Sequence, residues 1–373
     1  MKRISPIENF HPLVREWFYS RFKEATLAQT RGWESISQDL HTLIAAPTGS
    51  GKTLAAFLVS IDTLIQERLA GSSIKEGIQI LYISPLKALG NDIARNLELP
   101  LRELQELAES KGMDLSSIRA EVRTGDTGPY QRQKMLKNPP QILVTTPESF
   151  FLLLTSEKSR GILKNLRSVI VDEIHALAGD KRGAHLSLSL ERLNHLAKTK
   201  INRVGLSATQ KPLDLIAKFL VGNRKEGCSI VNVGHTRELD LEIEVPQSEL
   251  SALCSHDQWS EVYQSIGNLV THHRSTLIFV NTRKLAERVT FHLSELLGEQ
   301  AIASHHGSLA KEKRLEAEYR LKNGQLKAIV ATASMELGID IGYVDLVCQI
   351  GSPRRDRKST RLNSSHSSVS RMP

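Results

Sequence analysis

The chain alternates short runs of apolar, β-branched residues with longer stretches of helical periodicity. Continuous apolar runs are typical of strands buried on both faces of a parallel sheet, with helices as the crossover connections. The predicted strands are Thr42–Ala46, Ile78–Ser84, Gln141–Thr145, Ser168–Val171 and Val204–Ser207, followed by Thr276–Val280, Ile302–Ser304, Ala328–Ala331 and Leu346–Ile350. The pattern predicts an α/β fold with two parallel sheets, each covered by helices.

A polar stretch with many turn residues, from Gly222 to Asp257, interrupts this alternation. It predicts a linker between an α/β domain at residues 1–240 and a second, incomplete one at residues 258–353. Residues 354–373 have almost no apolar content and no periodicity, and residues 356–366 resemble a translated sequencing adapter. We therefore expect a non-native segment there, although the composition also permits a disordered basic arm.

Composition narrows the class of protein only a little. The formal net charge of the 373 residues is +8, and much of it lies after Pro353, so the remaining charge neither supports nor excludes a polyanionic partner. No apolar run approaches the roughly 20 residues that span a bilayer, and no signal-peptide pattern follows Met1. Cys228, Cys254 and Cys348 are far apart, which favours free thiols in a reducing compartment. We expect a cytoplasmic protein without a membrane partner.

A candidate phosphate-binding loop lies between the first predicted strand and the helix after it. Its residues are Ala46, Pro47, Thr48, Gly49, Ser50, Gly51, Lys52 and Thr53. Backbone N–H groups of a tight, glycine-bearing turn can wrap a polyphosphate where no side chain blocks the approach. Lys52 would bring a positive charge to the outer phosphates, and the Thr53 hydroxyl would ligate Mg²⁺. A chance glycine-rich turn does not account for the strand–loop–helix context, so we expect ATP binding.

Two adjacent carboxylates, Asp172 and Glu173, follow the apolar strand Ser168–Val171. Such residues are expected at the carboxyl edge of the sheet, where α/β proteins bind ligands. Asp172 would hold Mg²⁺, directly or through water, and Glu173 would position and deprotonate an attacking water. The two acids could instead only stabilise the start of the next helix. Beside a complete phosphate-binding loop, the catalytic interpretation is favoured.

Further short strings occur in a set order along the chain. They are HPLV at residues 11–14, AQ at 28–29, SPLKAL at 84–89, VRTGDT at 122–127, TTPES at 145–149, VDEIH at 171–175, KRG at 181–183, SAT at 207–209, FVNTR at 279–283, HHGS at 305–308 and ATASMELGID at 331–340. Their order and spacing resemble superfamily 2 helicases of the DEAD/DEAH-box type, and within them the large helicase-related (Lhr) family of ATP-dependent DNA helicases. The resemblance covers nearly the whole chain up to residue 353.

The resemblance implies two tandem RecA-like P-loop domains, the second of them incomplete, around one ATP. It assigns recognition of the adenine edge to Gln29, whose amide can donate and accept at once. It places Gly338 and Asp340 at the same ATP from the second domain. It also implies that Ser207 and Thr209 couple the nucleotide site to domain closure.

A track for a nucleic-acid strand is also implied by the resemblance. The residues expected along it are Pro85, Arg123, Thr124, Gly125, Thr146, Asn281, Arg283 and Thr332. Hydroxyls, backbone amides and arginines on loops suit phosphate contacts, which position a strand without reading its sequence. For any single Thr or Gly among them, a turn or cap role is the simpler alternative. His175 would relay between the ATP site and this track, whereas His305 and His306 are expected to be loop or strand-contact residues and not metal ligands.

The function implied is that of a monomeric 3′-to-5′ helicase or translocase in DNA repair. It would act on single-stranded or tailed duplex nucleic acid, with DNA favoured over RNA. Family members continue into a QxxGRxGR string that supplies arginines to the γ-phosphate, and this sequence has no such string, so weak hydrolysis and no unwinding are expected. An RNA helicase, a P-loop kinase or transport ATPase, and a catalytically silent binding module remain alternatives.

Overall fold

The structure is a computed structural model in which the chain divides into two units, Met1–Gly234 and His235–Pro373. It describes residues 6–47, 49–71, 77–85, 93–198, 200–208, 212–224, 226–234, 240–248, 255–332 and 344–351, and the backbone of residues 368–372. Each unit contains one parallel sheet with helices on both faces, so the predicted α/β fold with two parallel sheets is confirmed.

The first unit is built on a sheet of seven parallel strands. They are β1 (His41–Ala45), β2 (Ile80–Ile83), β3 (Ala120–Arg123), β4 (Ile142–Thr145), β5 (Ser168–Val171), β6 (Asn202–Ser207) and β7 (Cys228–Asn232). Their order across the sheet is β3-β4-β2-β5-β6-β1-β7. The central strands β1, β2, β4 and β5 are buried almost throughout, as continuous apolar sequences predict.

Helices cover both faces of this sheet. They are α1 (Pro12–Arg21), α2 (Leu27–Ser37), α3 (Lys52–Leu69), α4 (Leu99–Ser110), α5 (Pro129–Lys137), α6 (Pro147–Thr155), α7 (Glu157–Ile162), α8 (Ile174–Leu177), α9 (Lys181–Leu196) and α10 (Leu213–Val221), with a 3₁₀ turn at Pro6–Asn9 and a π turn at Ala94–Glu98. Trp33, Phe57 and Tyr82 belong to the core on one face, and Phe150 and Leu190 to the core on the other. Polar residues begin several helices; Asp180, for example, caps α9 by accepting from the Gly183 N–H.

The second unit has a sheet of six parallel strands. They are β8 (Asp240–Ile243), β9 (Thr276–Phe279), β10 (Ile302–His305), β11 (Ala328–Ala331), β12 (Leu346–Ile350) and β13 (Ser368–Met372), in the order β10-β11-β9-β12-β13-β8. The described helices of this unit are α11 (His256–His272), α12 (Arg283–Leu297) and α13 (Lys311–Lys322). Helices α11 and α12 pack on one face of the sheet and α13 on the other.

Four strands were missed by the apolar pattern, and three of them lie at sheet edges. Strands β3 and β7 are the two edges of the first sheet, and β8 is an edge of the second. An edge strand is covered less completely, so its sequence keeps polar residues and loses the continuous apolar signal. As a result, the segment interpreted as a linker, Gly222 to Asp257, contains β7 and β8 instead of turns alone.

The fourth missed strand, β13, lies in the segment that was expected to be non-native or disordered. Its backbone pairs in parallel with β12 on one side and with β8 on the other. The physical reason is that β12 and β8 both expose unpaired N–H and C=O groups toward the same gap, and an extended segment can satisfy them. Residues 368–372 therefore form a paired strand, where disorder was one expectation. The non-native origin of residues 354–373 stays a prediction.

The length and apolar character of the described helices show whether any of them could span a membrane. None of them combines the length and the apolar character that crossing a bilayer requires.

A buried carboxyl on α3 predicts a pH dependence of stability. Asp62 is only 5% exposed, and its carboxylate accepts from the His11 backbone N–H at 2.8 Å and from Gln66 Nε2 at 2.6 Å. Burial raises its pKa to about 6 from an ordinary 3.8, and the two hydrogen bonds only partly oppose this. The folded state therefore holds the proton more tightly, so the contribution of Asp62 to stability falls as pH rises from 3.8 to about 6.

We expect Asp62→Asn to remove this loss. Relative to the parent, the free energy of unfolding of the variant should improve by about 3 kcal/mol between about pH 4 and about pH 7, measured by urea unfolding. Asp39→Asn is the matched control, because Asp39 is exposed and its φ of 55° is tolerated by asparagine. An unchanged pH dependence in Asp62→Asn would contradict the assignment.

Candidate functional site

The candidate phosphate-binding loop connects β1 to α3 at the carboxyl edge of the first sheet. The Ala46 N–H donates to the Ser207 carbonyl at 3.1 Å, which extends the pairing of β1 with β6. Gly49 and Gly51 have φ angles of 79° and 78°, which glycine adopts without steric cost. Lys52 is the first residue of α3 and is buried. The loop therefore ends at the N-terminus of a long helix, where anions bind favourably.

Two hydroxyl side chains of the loop add to this arrangement. The Ser50 Oγ is buried and has no hydrogen-bond partner among the residues that the structure describes. A buried polar atom without a partner is uncommon, and it suits a site where a ligand oxygen or water completes the hydrogen bonding. Thr53 lies in the first turn of α3 and is half-buried. The Ser50 N–H donates to the Pro47 carbonyl at 3.3 Å and closes the turn between them.

Gln29 lies beside the loop and is only 3% exposed. It forms a capping box with Thr26, because the Gln29 N–H donates to Thr26 Oγ1 at 3.2 Å and the Thr26 N–H donates to Gln29 Oε1 at 2.9 Å. The Thr26 hydroxyl donates in turn to the Ser50 carbonyl at 2.8 Å. A Cβ on Gly51 would lie 2.6 Å from Gln29 Nε2, so a larger residue at this position would displace the amide as well as strain the backbone at φ of 78°. The start of α2 is thus joined to the loop.

Asp172 directly follows β5, and three hydrogen bonds fix it. Its N–H donates to the Ile83 carbonyl at 2.8 Å, its Oδ1 accepts from the Glu173 N–H at 2.9 Å, and its Oδ2 accepts from the Tyr82 hydroxyl. Burial raises the pKa of Asp172, and the negative charge of Glu173 raises it further, while the Tyr82 hydrogen bond and the positive charge of Lys52 lower it. Lys52 and Asp172 therefore interact electrostatically within one site.

Glu173 has a left-handed backbone conformation with φ of 45°, which is unusual outside glycine, asparagine and aspartate. Its Oε2 lies 3.0 Å from His175 Nε2, at an angle that does not make a hydrogen bond. On the other side of the ring, Nδ1 accepts from the Ala208 N–H at 3.2 Å and lies 3.1 Å from Ser207 Oγ. Because a backbone N–H can only donate, a neutral His175 carries its proton on Nε2, facing Glu173.

Three neighbouring strands end at residues that were expected to bind nucleic acid. Arg123 is the last residue of β3, and Thr124 and Gly125 follow it. Thr146 follows β4, and Pro85 lies two residues after β2. These strands are adjacent in the order β3-β4-β2, and the carboxyl ends of parallel strands share one edge. The five residues therefore lie along the same edge of the first sheet as the phosphate-binding loop.

The side chains along this edge differ in whether they have a hydrogen-bonding group left for a ligand. The Arg123 Nη1 is buried without a hydrogen-bond partner among the described residues, and burial lowers the pKa of the guanidinium. The Thr146 hydroxyl instead accepts from the Ser149 N–H at 3.4 Å and caps α6. Arg132 Nη2 donates to the Gly125 carbonyl at 2.8 Å and holds the loop after β3. In the described structure, Thr146 thus has the cap role, whereas Arg123 keeps a donor for a ligand.

Arg182 was present in the string KRG but received no role from the sequence. Its Nη2 donates to the Pro85 carbonyl at 2.9 Å, and its Nε donates to Glu148 Oε1 at 2.6 Å. It therefore ties the segment after β2 to the start of α6, on the edge that carries Thr146. Its place in a motif string was the only signal in the sequence, because its partners are 97 and 34 residues away.

In the second unit, Asn281, Arg283 and Thr332 also meet at a carboxyl edge. Asn281 lies two residues after β9, Arg283 is the first residue of α12, and Thr332 directly follows β11. Strands β9 and β11 are neighbours. Arg283 Nη1 donates to Ser308 Oγ at 2.6 Å, and the Thr332 N–H donates to the His305 carbonyl at 3.2 Å. The structure therefore brings these three candidates to one edge of the second sheet.

His305 and His306 each face a single carboxylate. His305 is the last residue of β10, not a loop residue, and its Nε2 lies 2.9 Å from Glu318 Oε1. His306 is also buried, and its Nε2 contacts Glu287 Oε1. Within the described ranges, no group of three His, Cys, Asp or Glu side chains is arranged to hold a metal ion. Both rings are therefore placed as partners of acidic side chains.

Four residues with expected roles fall outside the part of the chain that the structure describes. They are Thr48, Thr209, Gly338 and Asp340. Their assignments stay predictions from the family resemblance.

Two protein families match the chain in sequence. Residues 26–216, more than half of the chain, match the DEAD/DEAH box helicase family, and residues 258–367 match the helicase conserved C-terminal domain. The family resemblance of the motif strings is thereby confirmed.

Curated relatives are similar over nearly the whole chain. The ATP-dependent helicase Lhr-Core of Methanothermobacter thermautotrophicus is 47% identical over 352 residues, which is 92% of this chain and 40% of the relative. The Lhr helicase/probable uracil glycosylase of Mycolicibacterium smegmatis is 44% identical over 381 residues, which is 93% of this chain and 25% of the relative. The chain thus spans between a quarter and two fifths of the length of these relatives.

Solved structures match the fold of both units. The structure of Mycobacterium smegmatis helicase Lhr bound to ssDNA and AMP-PNP has a TM-score of 0.82 and 44% identity, and the match covers 99% of this chain and 48% of that one. The DEAD-box helicase Mss116 bound to ssRNA has a TM-score of 0.75 and 18% identity, covering 100% of this chain and 75% of that one, which shows the fold alone. The two parallel sheets match tandem RecA-like helicase domains.

Proposed function

Because this chain belongs to the DEAD/DEAH box helicase family and is similar in sequence to its Lhr members, we propose that it is the motor region of an ATP-dependent helicase that translocates 3′ to 5′, preferably on DNA. The observation that carries the proposal is geometric: buried Lys52 begins the helix after β1, and Asp172 and Glu173 directly follow β5, at the carboxyl edge of the same parallel sheet. A phosphate-binding lysine and a carboxylate pair in one site are what ATP hydrolysis requires.

The residues at this site fit Mg²⁺ as well as ATP. Asp172 offers a fixed carboxylate and Thr53 a hydroxyl in the first turn of α3. Magnesium is commonly held by one or two protein oxygens together with substrate phosphates and water, so a larger ligand group is not needed. Asp172 and Thr53 would hold the ion, and when bound it supplies positive charge that offsets the charge of the phosphates.

The mechanism then follows from the chain's own groups. Backbone N–H groups of the loop and the Lys52 ammonium would bind the β- and γ-phosphates. Glu173 would orient a water for in-line attack and accept its proton. His175 contacts both Glu173 and the backbone after β6, so it can report the state of the catalytic carboxylate to the string SAT at 207–209. Gln29 would hold the adenine while contacting the loop through Thr26.

We propose that Arg123, at the carboxyl edge of the first sheet, and Arg283, at that of the second sheet, each contact phosphates of a nucleic-acid strand. Support comes from the solved Lhr structure, which is bound to ssDNA. Phosphate contacts by such groups grip a strand without reading its sequence, as a translocating motor requires. We further propose that the protein acts as a monomer.

The test of this function is phosphate release with and without a single-stranded oligonucleotide. We expect single-stranded DNA to stimulate ATP hydrolysis more than RNA of the same sequence. Equal or greater stimulation by RNA would favour the RNA-helicase alternative. No stimulation by either polymer, with ATP hydrolysis retained, would favour a P-loop ATPase that does not act on nucleic acid.

Arg283→Ala tests the contact in the second unit. We expect affinity for single-stranded DNA to fall about tenfold, because a charged hydrogen-bond donor is lost. The slope of log affinity against log salt should become shallower by about 0.7, whatever the DNA sequence. Fluorescence anisotropy at several salt concentrations measures both quantities. Lys284→Ala is the matched control, since Lys284 is the exposed neighbour of Arg283; an equal effect in both variants would contradict a specific contact.

A further inference from the structure

Tyr82 is a buried tyrosine in the middle of the first sheet. It lies in β2 between aliphatic neighbours, and its exposed fraction is 0%. Its ring stacks on Phe57 of α3, with centroids 4.7 Å apart and an angle of 26° between the planes. A buried phenol needs a hydrogen-bond partner, because leaving its hydroxyl unpaired in an apolar core is costly. The partner in the structure is Asp172 Oδ2.

The two oxygens of the Asp172 carboxylate are held by different donors. Oδ2 accepts from the Tyr82 hydroxyl, and Oδ1 accepts from the Glu173 N–H at 2.9 Å. The backbone of Asp172 is also held, because its N–H donates to the Ile83 carbonyl at 2.8 Å. Donors on both oxygens restrain rotation of the carboxylate about its terminal bond, so its remaining lone pairs have preferred directions.

The position of Tyr82 also connects the carboxylate to the phosphate-binding loop. Phe57, on which its ring stacks, lies in the same helix as Lys52, five residues further along. Strand β2 pairs in parallel with β5, and Ile83 is opposite Val171, the residue before Asp172. One side chain therefore contacts both the helix that follows the loop and the carboxylate after β5.

We propose that Tyr82 is a positioning residue that fixes the Asp172 carboxylate in the orientation used to hold the Mg²⁺ that accompanies ATP. The inference rests on the proposed function, because it names a further residue of the same site. Tyr82 does not touch the reacting atoms and acts only through Asp172. Hydrogen-bonding partners of metal ligands commonly change metal affinity by about 10–100-fold when they are removed.

Tyr82→Phe is the variant that removes only the hydroxyl and keeps the ring on Phe57. The experiment is equilibrium binding of a fluorescent ATP analogue to the full chain, at increasing Mg²⁺ and in EDTA. We expect the Mg²⁺ concentration for half-maximal enhancement of binding to rise about 10–100-fold. Binding in EDTA should equal that of the parent, and excess Mg²⁺ should restore binding, which a misfolded protein would not allow. An unchanged Mg²⁺ dependence overturns the proposal.

Two further variants make the test specific. Tyr263→Phe removes a hydroxyl from a buried tyrosine of the second unit and should leave the Mg²⁺ dependence unchanged. In an Asp172→Asn background, Tyr82→Phe should have no further effect, because Tyr82 acts through that carboxylate. An additional loss in the double variant overturns the proposal.

The result for Tyr82 can be distinguished from the result for the proposed helicase function. Equilibrium binding needs neither hydrolysis nor nucleic acid, so Tyr82 can be tested even if the parent is not stimulated by DNA. A parent chain that binds no nucleotide at any Mg²⁺ concentration overturns both. A parent that binds nucleotide with Mg²⁺, together with a Tyr82→Phe variant that behaves identically, overturns only the role of Tyr82.

Discussion

Replacing Lys52 with alanine is expected to reduce nucleic-acid-stimulated ATP hydrolysis by about 10²–10³-fold, the usual effect of losing one group that stabilises transition-state charge. Lys52 is buried at the first turn of α3 and interacts electrostatically with Asp172. Without its charge, the phosphates lose a partner and the carboxylates Asp172 and Glu173 repel them more strongly. Nucleotide affinity should therefore fall together with turnover, measured by phosphate release and by binding of a fluorescent ATP analogue.

A second consequence concerns the pKa of Asp172. The positive charge of Lys52 lowers that pKa, so its removal should raise it and move the acidic limb of any residual activity to higher pH. Lys218→Ala, at an exposed lysine of α10, serves as the control and should change neither quantity. Unchanged turnover in Lys52→Ala would mean that the loop after β1 is not the phosphate site.

Replacing Glu173 with glutamine should separate binding from chemistry. If Glu173 accepts the proton of the attacking water, its loss should lower turnover by about 10²–10⁴-fold, the range for a positioned general base. Nucleotide affinity should be kept or improved, because a negative charge next to the phosphates is removed and Lys52 is intact. Glutamine has nearly the same shape, and it meets the left-handed φ of 45° no worse than glutamate does. Single-turnover hydrolysis and equilibrium nucleotide binding together measure the two effects.

The contrast between the two variants identifies the roles of the residues. Loss of both affinity and turnover indicates phosphate binding, whereas loss of turnover alone indicates catalysis. Glu157→Gln, at an exposed glutamate of α7, is the matched control for the change in charge. A Glu173→Gln variant with normal turnover would contradict catalysis by Glu173 and would favour the alternative, in which Glu173 only stabilises the start of the next helix.

Local sequence patterns were sufficient for the centre of each sheet. Strand β1 and strand β5 are covered on both faces, so their residues are apolar without interruption and the strands are visible in the sequence. The residues of the phosphate-binding loop and the pair after β5 could be found for a similar reason. Their chemistry depends on neighbours within a few positions, such as the glycines before Lys52 and the strand before Asp172.

Three of the four edge strands were not visible in the sequence, because an edge strand lacks a covering neighbour on one side; the fourth, β10, was predicted from its sequence. Strands β3, β7 and β8 keep polar residues where they are incompletely covered, so none of them shows a continuous apolar run. The same holds for β13, whose pairing depends on the gap between β12 and β8 and not on its own composition.

The sequence by itself determined that the chain forms two parallel α/β sheets with a candidate phosphate-binding loop and a carboxylate pair, because these signals are local and periodic. Only the tertiary structure decided which distant side chains complete the site. Tyr82 and Asp172 are 90 residues apart, and Arg182 and Pro85 are 97 residues apart. Such pairs meet because parallel strands are joined through long crossover connections, so sequence separation alone does not show which strands are adjacent.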